Sequence, residues 1–226
     1  MSFAIQCELL PDAQCDRLSN ARKEFWMRWL AVFAAFLLPT VAVAADVSVN
    51  PQSAPKGNYT LEPRHTIVTF CIRHMGISNY CGRFNQASGK ISFNGAQPEK
   101  STATVEVKID SLDTPSDELD KKLLADFFES KTFPTAKFVS KSAKVTGKNA
   151  GDIDGDLTLH GQTRPVSIAT TFNGGKIHPF ANAYVIGFSA RTTIKLDAFS
   201  FPDVAWKSFI GEEVELTIES EFIAEK

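Results

Sequence analysis

Two cysteines and a histidine lie close together in the segment FCIRHMGISNYCGRF, which runs from Phe70 to Phe84. Cysteine and histidine side chains bind metals, and paired cysteines form disulfides in oxidising compartments. A metal bound by Cys71 and Cys81 would need two further ligands, and strand alternation points His74 to the opposite face. The segment leaves three alternatives open: a disulfide, a metal site, or two free buried thiols.

The sequence carries none of the short motifs that mark common catalytic sites. Its four histidines form no HExxH pair, and no GxSxG elbow or phosphate-binding glycine loop occurs. Most carboxylates fall at strand positions that alternation places toward solvent. The pattern therefore predicts neither an enzyme nor a metal centre.

The first 44 residues have the layout of a secretory signal. The run MRWLAVFAAFLLPTVAVA places an arginine before a short apolar stretch and ends on small residues at 42–44. Met27 opens this run and is a plausible start of translation. The apolar stretch is shorter than the roughly 20 residues of a membrane span, and Pro39 interrupts it. We expect a cleaved signal over 1–44, no stable membrane span, and an exported protein.

Removing 44 of the 226 residues leaves 182, which suits one domain with a substantial core. The removed part holds equal numbers of acidic and basic side chains, so the net charge stays at −2. A nucleic-acid partner is not expected, because binding one needs a clustered positive field. Residues 45–58, rich in Ala, Pro, Ser and Gly, are typical of a flexible leader. The folded domain is expected over 59–226.

Apolar and polar residues alternate from His65 onward, as in strands with one buried face. In TATVEVKID, for example, Val105 and Val107 share a face opposite Glu106. Eight such runs predict a mainly β protein, either an antiparallel barrel or a sandwich, and barrel closure would remove exposed edges. The runs cover 65–74, 80–94, 102–110, 135–145, 151–160, 165–173, 184–196 and 212–223.

One segment, TPSDELDKKLLADFFES, has helical rather than strand periodicity. Thr114 is the predicted N-cap, with Pro115 at the first helical position and Asp117 in a capping box. Phe133-Pro134 ends the element. The sequence predicts one amphipathic helix between the third and fourth strands, where it plugs one end of a barrel or packs against its side.

The aromatic content is dominated by 18 Phe against three Tyr and three Trp. Phenylalanine has a large apolar surface and no polar group, so a lumen lined with phenylalanine side chains suits an apolar ligand. For any single position, ordinary core packing is the alternative. The predicted ligand-binding residues are Val68, Phe70, Ile72, Phe93, Val107, Phe127, Phe138, Leu157, Phe172 and Phe188.

A hairpin centred near Gly76 would place Cys71 directly opposite Cys81, on the face away from the apolar residues. Export favours oxidation, and these are the only cysteines left once the signal is removed. We expect a disulfide between them, provided that the register brings their Cα atoms within about 4.4–6.8 Å.

Several blocks resemble the YceI-like proteins in sequence and order. They are YTLEPRHTIVTFCIRHMGISNYCGRF, DSLDT, DFFESKTFPTAKFVSK, GDLTLHGQTRPVSI and GFSARTTIKLDAF, spread over residues 58–223. The resemblance implies an eight-stranded, lipocalin-like antiparallel barrel in a periplasmic or secreted protein that encloses a long isoprenoid or similar lipid. The segments 119–123 and 196–200 depart from the family pattern, so any head group they touch is expected to differ.

These observations favour a lipid-binding protein that holds a polyisoprenoid, isoprenoid quinone or fatty chain for transport or storage. The bound lipid would be the only cofactor-like group. Two alternatives are an enzyme acting on such a lipid and a stress-induced structural or partner-binding protein with a filled barrel. A homodimer is left open.

We predict that the exported protein begins at Ala45, because the small residues at 42–44 follow the apolar run. N-terminal sequencing of periplasmic material is the measurement. A mature protein that starts at Met1 or Met27 would rule out cleavage at this position.

Overall fold

The structure is a computed structural model that describes residues 46–225, so the predicted signal region 1–44 lies outside the described residues. The described chain forms strands β1 to β11 and one helix, α1. Helix α1 covers Asp117–Lys122 and continues as a π-helical turn over Leu123–Phe127. The strands are β1 Gly57–Leu61, β2 Ile67–His74, β3 Ser78–Phe84, β4 Ala87–Phe93, β5 Thr102–Lys108, β6 Leu112–Asp113, β7 Thr135–Val145, β8 Ala150–Leu159, β9 Gln162–Ile177, β10 Tyr184–Lys195 and β11 Ile210–Ala224.

The strands form one closed antiparallel barrel with eight positions around the ring. Three positions are bent and hold two strands each: β1 with β2, β3 with β4, and β5 with β6. The other five positions are β7 to β11, one strand each. The ring closes because β1 pairs with β4 on one side and β11 on the other, so that Tyr59 lies opposite both Ile91 and Ala224. The predicted eight-stranded, lipocalin-like barrel is confirmed.

The bend between β3 and β4 divides a run that alternation alone joins together. The predicted run 80–94 is two strands, because β3 pairs with β2 and β6 whereas β4 pairs with β1 and β5. At the break, the N–H of Asn85 donates to the carbonyl of Ser111 and the N–H of Gln86 donates to its hydroxyl, both at 3.0 Å. One serine therefore satisfies the backbone donors that the broken ladder leaves unpaired.

Glu62 holds the first bend, between β1 and β2, from a buried position. Its carboxylate accepts hydrogen bonds from Nε of Arg64 at 2.7 Å and from the backbone N–H of His65 at 2.9 Å. Burial by itself raises the pKa of the Glu62 carboxyl. The hydrogen bond and charge of Arg64, together with the His65 N–H, lower the pKa by more than burial raises it, so the pKa lies below its ordinary value. The ionised carboxylate is thus the form that stabilises the turn.

The connections between strands gather at two ends of the barrel. The helix end carries α1, the β2–β3 and β8–β9 turns and the β10–β11 connection; it comprises residues 73–79, 109–134, 160–161 and 195–213. The opposite end, called the strap end, carries the remaining hairpin connections and the N-terminal residues; it comprises residues 46–56, 94–102, 144–152 and 176–183.

Helix α1 begins two residues later than predicted. Ser116 is the N-cap, since its hydroxyl accepts from the N–H of Leu119 at 3.3 Å. The prediction of Thr114 as N-cap is wrong, because its own N–H donates to the carboxylate of Asp120 and its hydroxyl accepts from the N–H of Ser116. Among the described residues, no helix has the length and apolar character that crossing a membrane requires.

The helix packs into the barrel end through aromatic side chains. The rings of Phe127 and Phe201 stack at 4.3 Å between centroids, and Phe128 meets Phe84 edge to face at 5.9 Å. Beyond the helix, Nε2 of the buried His160 lies 2.9 Å from a carboxylate oxygen of Glu129. This pair joins the end of the helical segment to the β8–β9 turn.

Residues 46–56, which belong to the predicted leader over 45–58, cross the strap end, and β1 begins at Gly57 within the same predicted segment. Ser48 exchanges two backbone hydrogen bonds with Gly175 of β9, at 3.1 and 2.9 Å. Further along the segment, Pro51 packs against Gly95 in the connection after β4, where a Cβ would overlap the carbonyl of Pro51. Between these points Ala54 is buried. The composition suggested flexibility, but backbone pairing and close packing hold this segment, here called the strap.

Tyr59 anchors the strap where it enters β1. Its side chain is fully buried and its hydroxyl donates to the carbonyl of Pro55 at 2.6 Å. Burial, with a contribution from the neighbouring Tyr184, raises the pKa of Tyr59 to about 12. The hydroxyl therefore keeps its proton and its hydrogen bond across the neutral pH range.

The structure joins Cys71 and Cys81 in a disulfide across the β2–β3 hairpin. The two residues are directly opposite in the register, with Cα atoms 4.1 Å apart, slightly closer than the range expected from the sequence. The turn lies at Met75 and Gly76, both with positive φ, as the predicted hairpin centre requires. The bridge lies on the outer face of the barrel wall, so it pins the hairpin without entering the lumen.

We predict that the exported protein contains this bridge. Under denaturing, non-reducing conditions iodoacetamide should add no label, and two labels should appear after reduction. Reduction should also lower the free energy of unfolding by about 2–3 kcal/mol. The bridge restricts the unfolded chain, and the loop that it closes is short, which keeps the effect to this size. Two labels taken up without reduction would contradict the disulfide.

Candidate functional site

The barrel encloses a cavity of about 820 Å³. Its wall is made of the inward-facing residues of every strand position, because alternation in a closed barrel points every second side chain to the lumen. Most of these side chains are aliphatic or aromatic. The barrel is therefore a container with free space, and the side chains do not fill it.

All ten residues predicted to bind a ligand line this cavity. They come from β2, β4, β5, β7, β8, β9, β10 and the π-helical turn after α1. They are Val68, Phe70, Ile72, Phe93, Val107, Phe127, Phe138, Leu157, Phe172 and Phe188. Their shared placement is observed; their contact with a ligand stays a prediction.

Further lining residues were missed, although the same alternation could have identified most of them. On β9 and β11, inward aliphatic positions continue the pattern of the predicted ones; they include Val166, Ile168, Val214, Leu216 and Ile218. Trp206 also lines the lumen, but it lies in the connection before β11, where no period marks it. Only the fold brings that ring to the cavity.

Two inward-facing glycines shape the wall. A Cβ at Gly82 would lie 2.7 Å from the ring of Phe70, and a Cβ at Gly155 would overlap the ring of Phe138. Each ring therefore lies close against the bare backbone of the neighbouring strand. The phenylalanines cover the wall and leave the centre of the barrel free.

An aromatic cluster forms the wall toward the strap end. The rings of Phe93 and Phe172 are nearly parallel at 5.9 Å, and Phe188 meets them at 6.0 and 5.5 Å. Such pairs stabilise one another beyond their buried area. This part of the wall is thus a preorganised apolar surface.

The opening of the cavity lies at the strap end. Residues that line the cavity and are also exposed to solvent mark where it meets the outside. Only Phe209 does so at the helix end, among the described residues. At the strap end they are Asn50, Gln52, Ala96, Thr102, Lys144, Val145, Gly147 and Lys148.

The charged groups of the site lie near its two ends, whereas hydroxyls such as those of Ser140, Thr192 and Ser220 lie along the wall. At the strap end Lys144, Lys148, Asn149 and Asp152 surround the opening, whereas at the helix end Tyr80 faces inward and shares a hydrogen bond with Thr114 at 3.2 Å. An apolar middle with polar ends matches an amphiphile that has one long apolar part.

The described residues bring no metal-binding group together. Across 46–225, no three His, Cys, Asp or Glu side chains are grouped so that they could hold a metal. In the same range, no buried side-chain nitrogen or oxygen lacks a hydrogen-bond partner. The arrangement provides apolar contact and shape, which suits binding an apolar chain.

Comparison with known proteins gives a consistent set of relatives. The sequence model of a family described as the YceI-like domain matches residues 59–222. A protein named UPF0312 protein from Pseudomonas savastanoi pv. phaseolicola is 39% identical over 171 residues, which are 75% of this chain and 83% of the relative.

Solved structures share the fold. BcnA from Burkholderia cenocepacia is 22% identical, with a TM-score of 0.65 over 71% of this chain and 98% of the other. A protein described as a polyisoprenoid binding domain from Saccharophagus degradans, implicated in plant cell wall breakdown, is 16% identical. Its TM-score is 0.57, with coverage of 74% of this chain and 98% of that protein.

We predict that Phe138→Asp abolishes uptake of an apolar fluorescent probe such as N-phenyl-1-naphthylamine. The reason is that an unpaired carboxylate in an apolar cavity is costly and attracts water. The readout is probe fluorescence on titration, with folding checked by circular dichroism.

The matched control is Val139→Asp, which places the same charge one residue further along β7. Val139 does not line the cavity and is 41% exposed. This variant should bind the probe as the wild type does. Equal probe binding by a folded Phe138→Asp variant would show that the probe does not occupy the lumen.

Proposed function

This chain belongs to the YceI-like domain family, and on that premise we propose that its barrel encloses the apolar chain of a lipid in the periplasm. The lipid class that we propose is a polyisoprenoid, an isoprenoid quinone or a similar long chain, held for transport or storage. The observation that carries the proposal is the cavity of about 820 Å³ with an apolar wall and polar groups near its ends.

The size of the cavity supports a ligand of this class. Small-molecule pockets typically measure about 300–1,000 Å³ and bury most of the ligand surface. Burial of one CH₂ contributes about 0.8 kcal/mol, so each five-carbon isoprene unit contributes roughly 3–4 kcal/mol. A few enclosed units therefore outweigh the cost of ordering the chain. No directional contact is needed along the middle of the ligand.

The form of the wall supports a flexible, unbranched or methyl-branched chain over a rigid polar ligand. Phe70 and Phe138 lie against glycines, and most of the remaining wall is aliphatic or aromatic, so the lumen offers mainly apolar contact. The polar rim at Lys144 and Lys148 leaves room for a head group at the opening. The related fold of the Saccharophagus degradans domain, described as polyisoprenoid binding, agrees with this proposal.

A periplasmic location is supported by two independent features. The sequence before Ala45 has the layout of a signal peptide. The disulfide between Cys71 and Cys81 lies on the outer wall, where an oxidising compartment would preserve it.

Native mass spectrometry tests the proposal. Protein purified from the periplasm without detergent should show extra mass that organic solvent removes, and the extract should contain an isoprenoid or fatty chain. The variant Phe138→Asp should lack this mass and Val139→Asp should retain it.

Three other outcomes would overturn the proposal in different ways. Conversion of the extracted lipid into a product by the pure protein would favour an enzyme. A chain that carries no lipid and takes up none from isoprenoid dispersed in detergent would contradict binding. Lipid retained equally by both aspartate variants would place it outside the barrel.

A further inference from the structure

The two ends of the barrel carry opposite charge. The helix end holds eleven Asp and Glu side chains, one of which, Asp113, pairs with Arg83 of β3, against six Lys and Arg. The strap end holds three carboxylates, Asp46, Glu99 and Asp152, against five lysines, and at the same level Glu225 of the C-terminal segment pairs with Lys90 at 2.7 Å. These lysines are Lys56, Lys100, Lys144, Lys148 and Lys176. The barrel is therefore an electrostatic dipole whose positive end surrounds the opening of the cavity.

The lysines of the strap end are free to face an external partner. In the part of the chain that the structure describes, none of the five lies within ion-pairing distance of a carboxylate. By contrast, Lys122 at the helix end pairs with Glu118 at 3.0 Å. These five lysines thus form no direct ion pair, and the strap end keeps an excess of positive charge.

The strap end also exposes apolar side chains beside these lysines. Phe180, at the tip of the β9–β10 hairpin, is 92% exposed, and Ile177 precedes it on the same hairpin. Val145 lies next to Lys144 on the β7–β8 hairpin, and the strap adds Val47 and Val49. Apolar residues set among lysines are the composition that binds the interface of a bilayer.

We propose that the strap end docks on the surface of an anionic lipid bilayer, with Phe180 inserted among the acyl chains and the lysines facing the head groups. The inference rests on the proposed function in one respect, since a cargo of long isoprenoid or fatty chains is delivered from and to membranes. The docked orientation turns the opening of the cavity toward the bilayer, so the apolar chain passes between them without crossing water.

The opposite end is unsuited to the same surface. It also exposes apolar side chains, at Met75, Ile77 and Phe209. However, its excess of carboxylates is repelled by anionic lipids, and the helix packs into the lumen there. The charge and the position of the opening therefore both favour the strap end as the end that docks on the bilayer.

The test is co-sedimentation of the purified protein with phosphatidylcholine vesicles that do or do not contain phosphatidylglycerol. The wild type should bind the anionic vesicles and should be released by salt. Lys100→Gln and Lys176→Gln should each weaken the partition about fivefold, because a lysine near such a surface contributes about that factor. Phe180→Ser should weaken it further, also at high salt.

Matched controls at the helix end make the same changes in charge and apolarity. Lys121→Gln, Lys131→Gln and Ile77→Ser should leave vesicle binding unchanged. None of the six varied residues lines the cavity, so native mass spectrometry should find wild-type cargo in every variant.

The results separate docking from cargo binding. Normal cargo without binding to anionic vesicles, or equal losses from changes at both ends, would overturn the docking proposal and leave the lipid-binding function standing. Vesicle binding that follows the predicted pattern in a protein without cargo would support docking and contradict the proposed function. Binding to acidic proteins but not to anionic vesicles would identify the strap end as a protein interface instead.

Discussion

Closure of the hydrogen-bonded ring through β1 is the constraint on which the rest of the structure depends. Gly57–Leu61 must pair with β4 and β11 together, because an open sheet would leave two edges of unpaired backbone groups. Since β1 is so short, the chain turns sharply to continue as β2, and the ionised Glu62 satisfies that turn from a buried position. The strap follows from the same constraint, because Tyr59 fixes both the strand and the carbonyl of Pro55 before it.

A closed ring of eight strands leaves space inside only if its inward side chains stay close to the wall. Gly82 and Gly155 make this possible, since the rings of Phe70 and Phe138 lie against bare backbone where any other residue would push them inward. The helix completes the container by a different means, because stacked aromatic rings at Phe127 and Phe201 close one end. The free volume is thus a consequence of where small residues stand beside large ones.

Alternation predicted the barrel and its lining residues because every second side chain of a strand points inward. Each strand carries this pattern in its own residues. It failed where tertiary pairing interrupts the period. The break at residues 85–86 depends on Ser111, far away in sequence, and no local signal marks it. Ser116 replaced Thr114 as N-cap because Asp120 binds the Thr114 N–H, a contact that exists only once the helix has formed. No local signal marks the strap, because its contacts are with Gly95 in the β4–β5 connection and Gly175 on β9.

The two ends of the barrel differ in charge and in access to the lumen, so the barrel is polar along its axis. At the helix end aromatic stacking closes the lumen, and the surrounding surface is acidic. At the strap end lysines and exposed apolar side chains surround the opening. In the proposed complex, the apolar middle of the lumen would hold a chain without fixing its position along the barrel, because dispersion and burial have no preferred direction. Its orientation would then come from the ends, where a head group would meet Lys144 and Lys148 and the chain terminus would meet the aromatic rings.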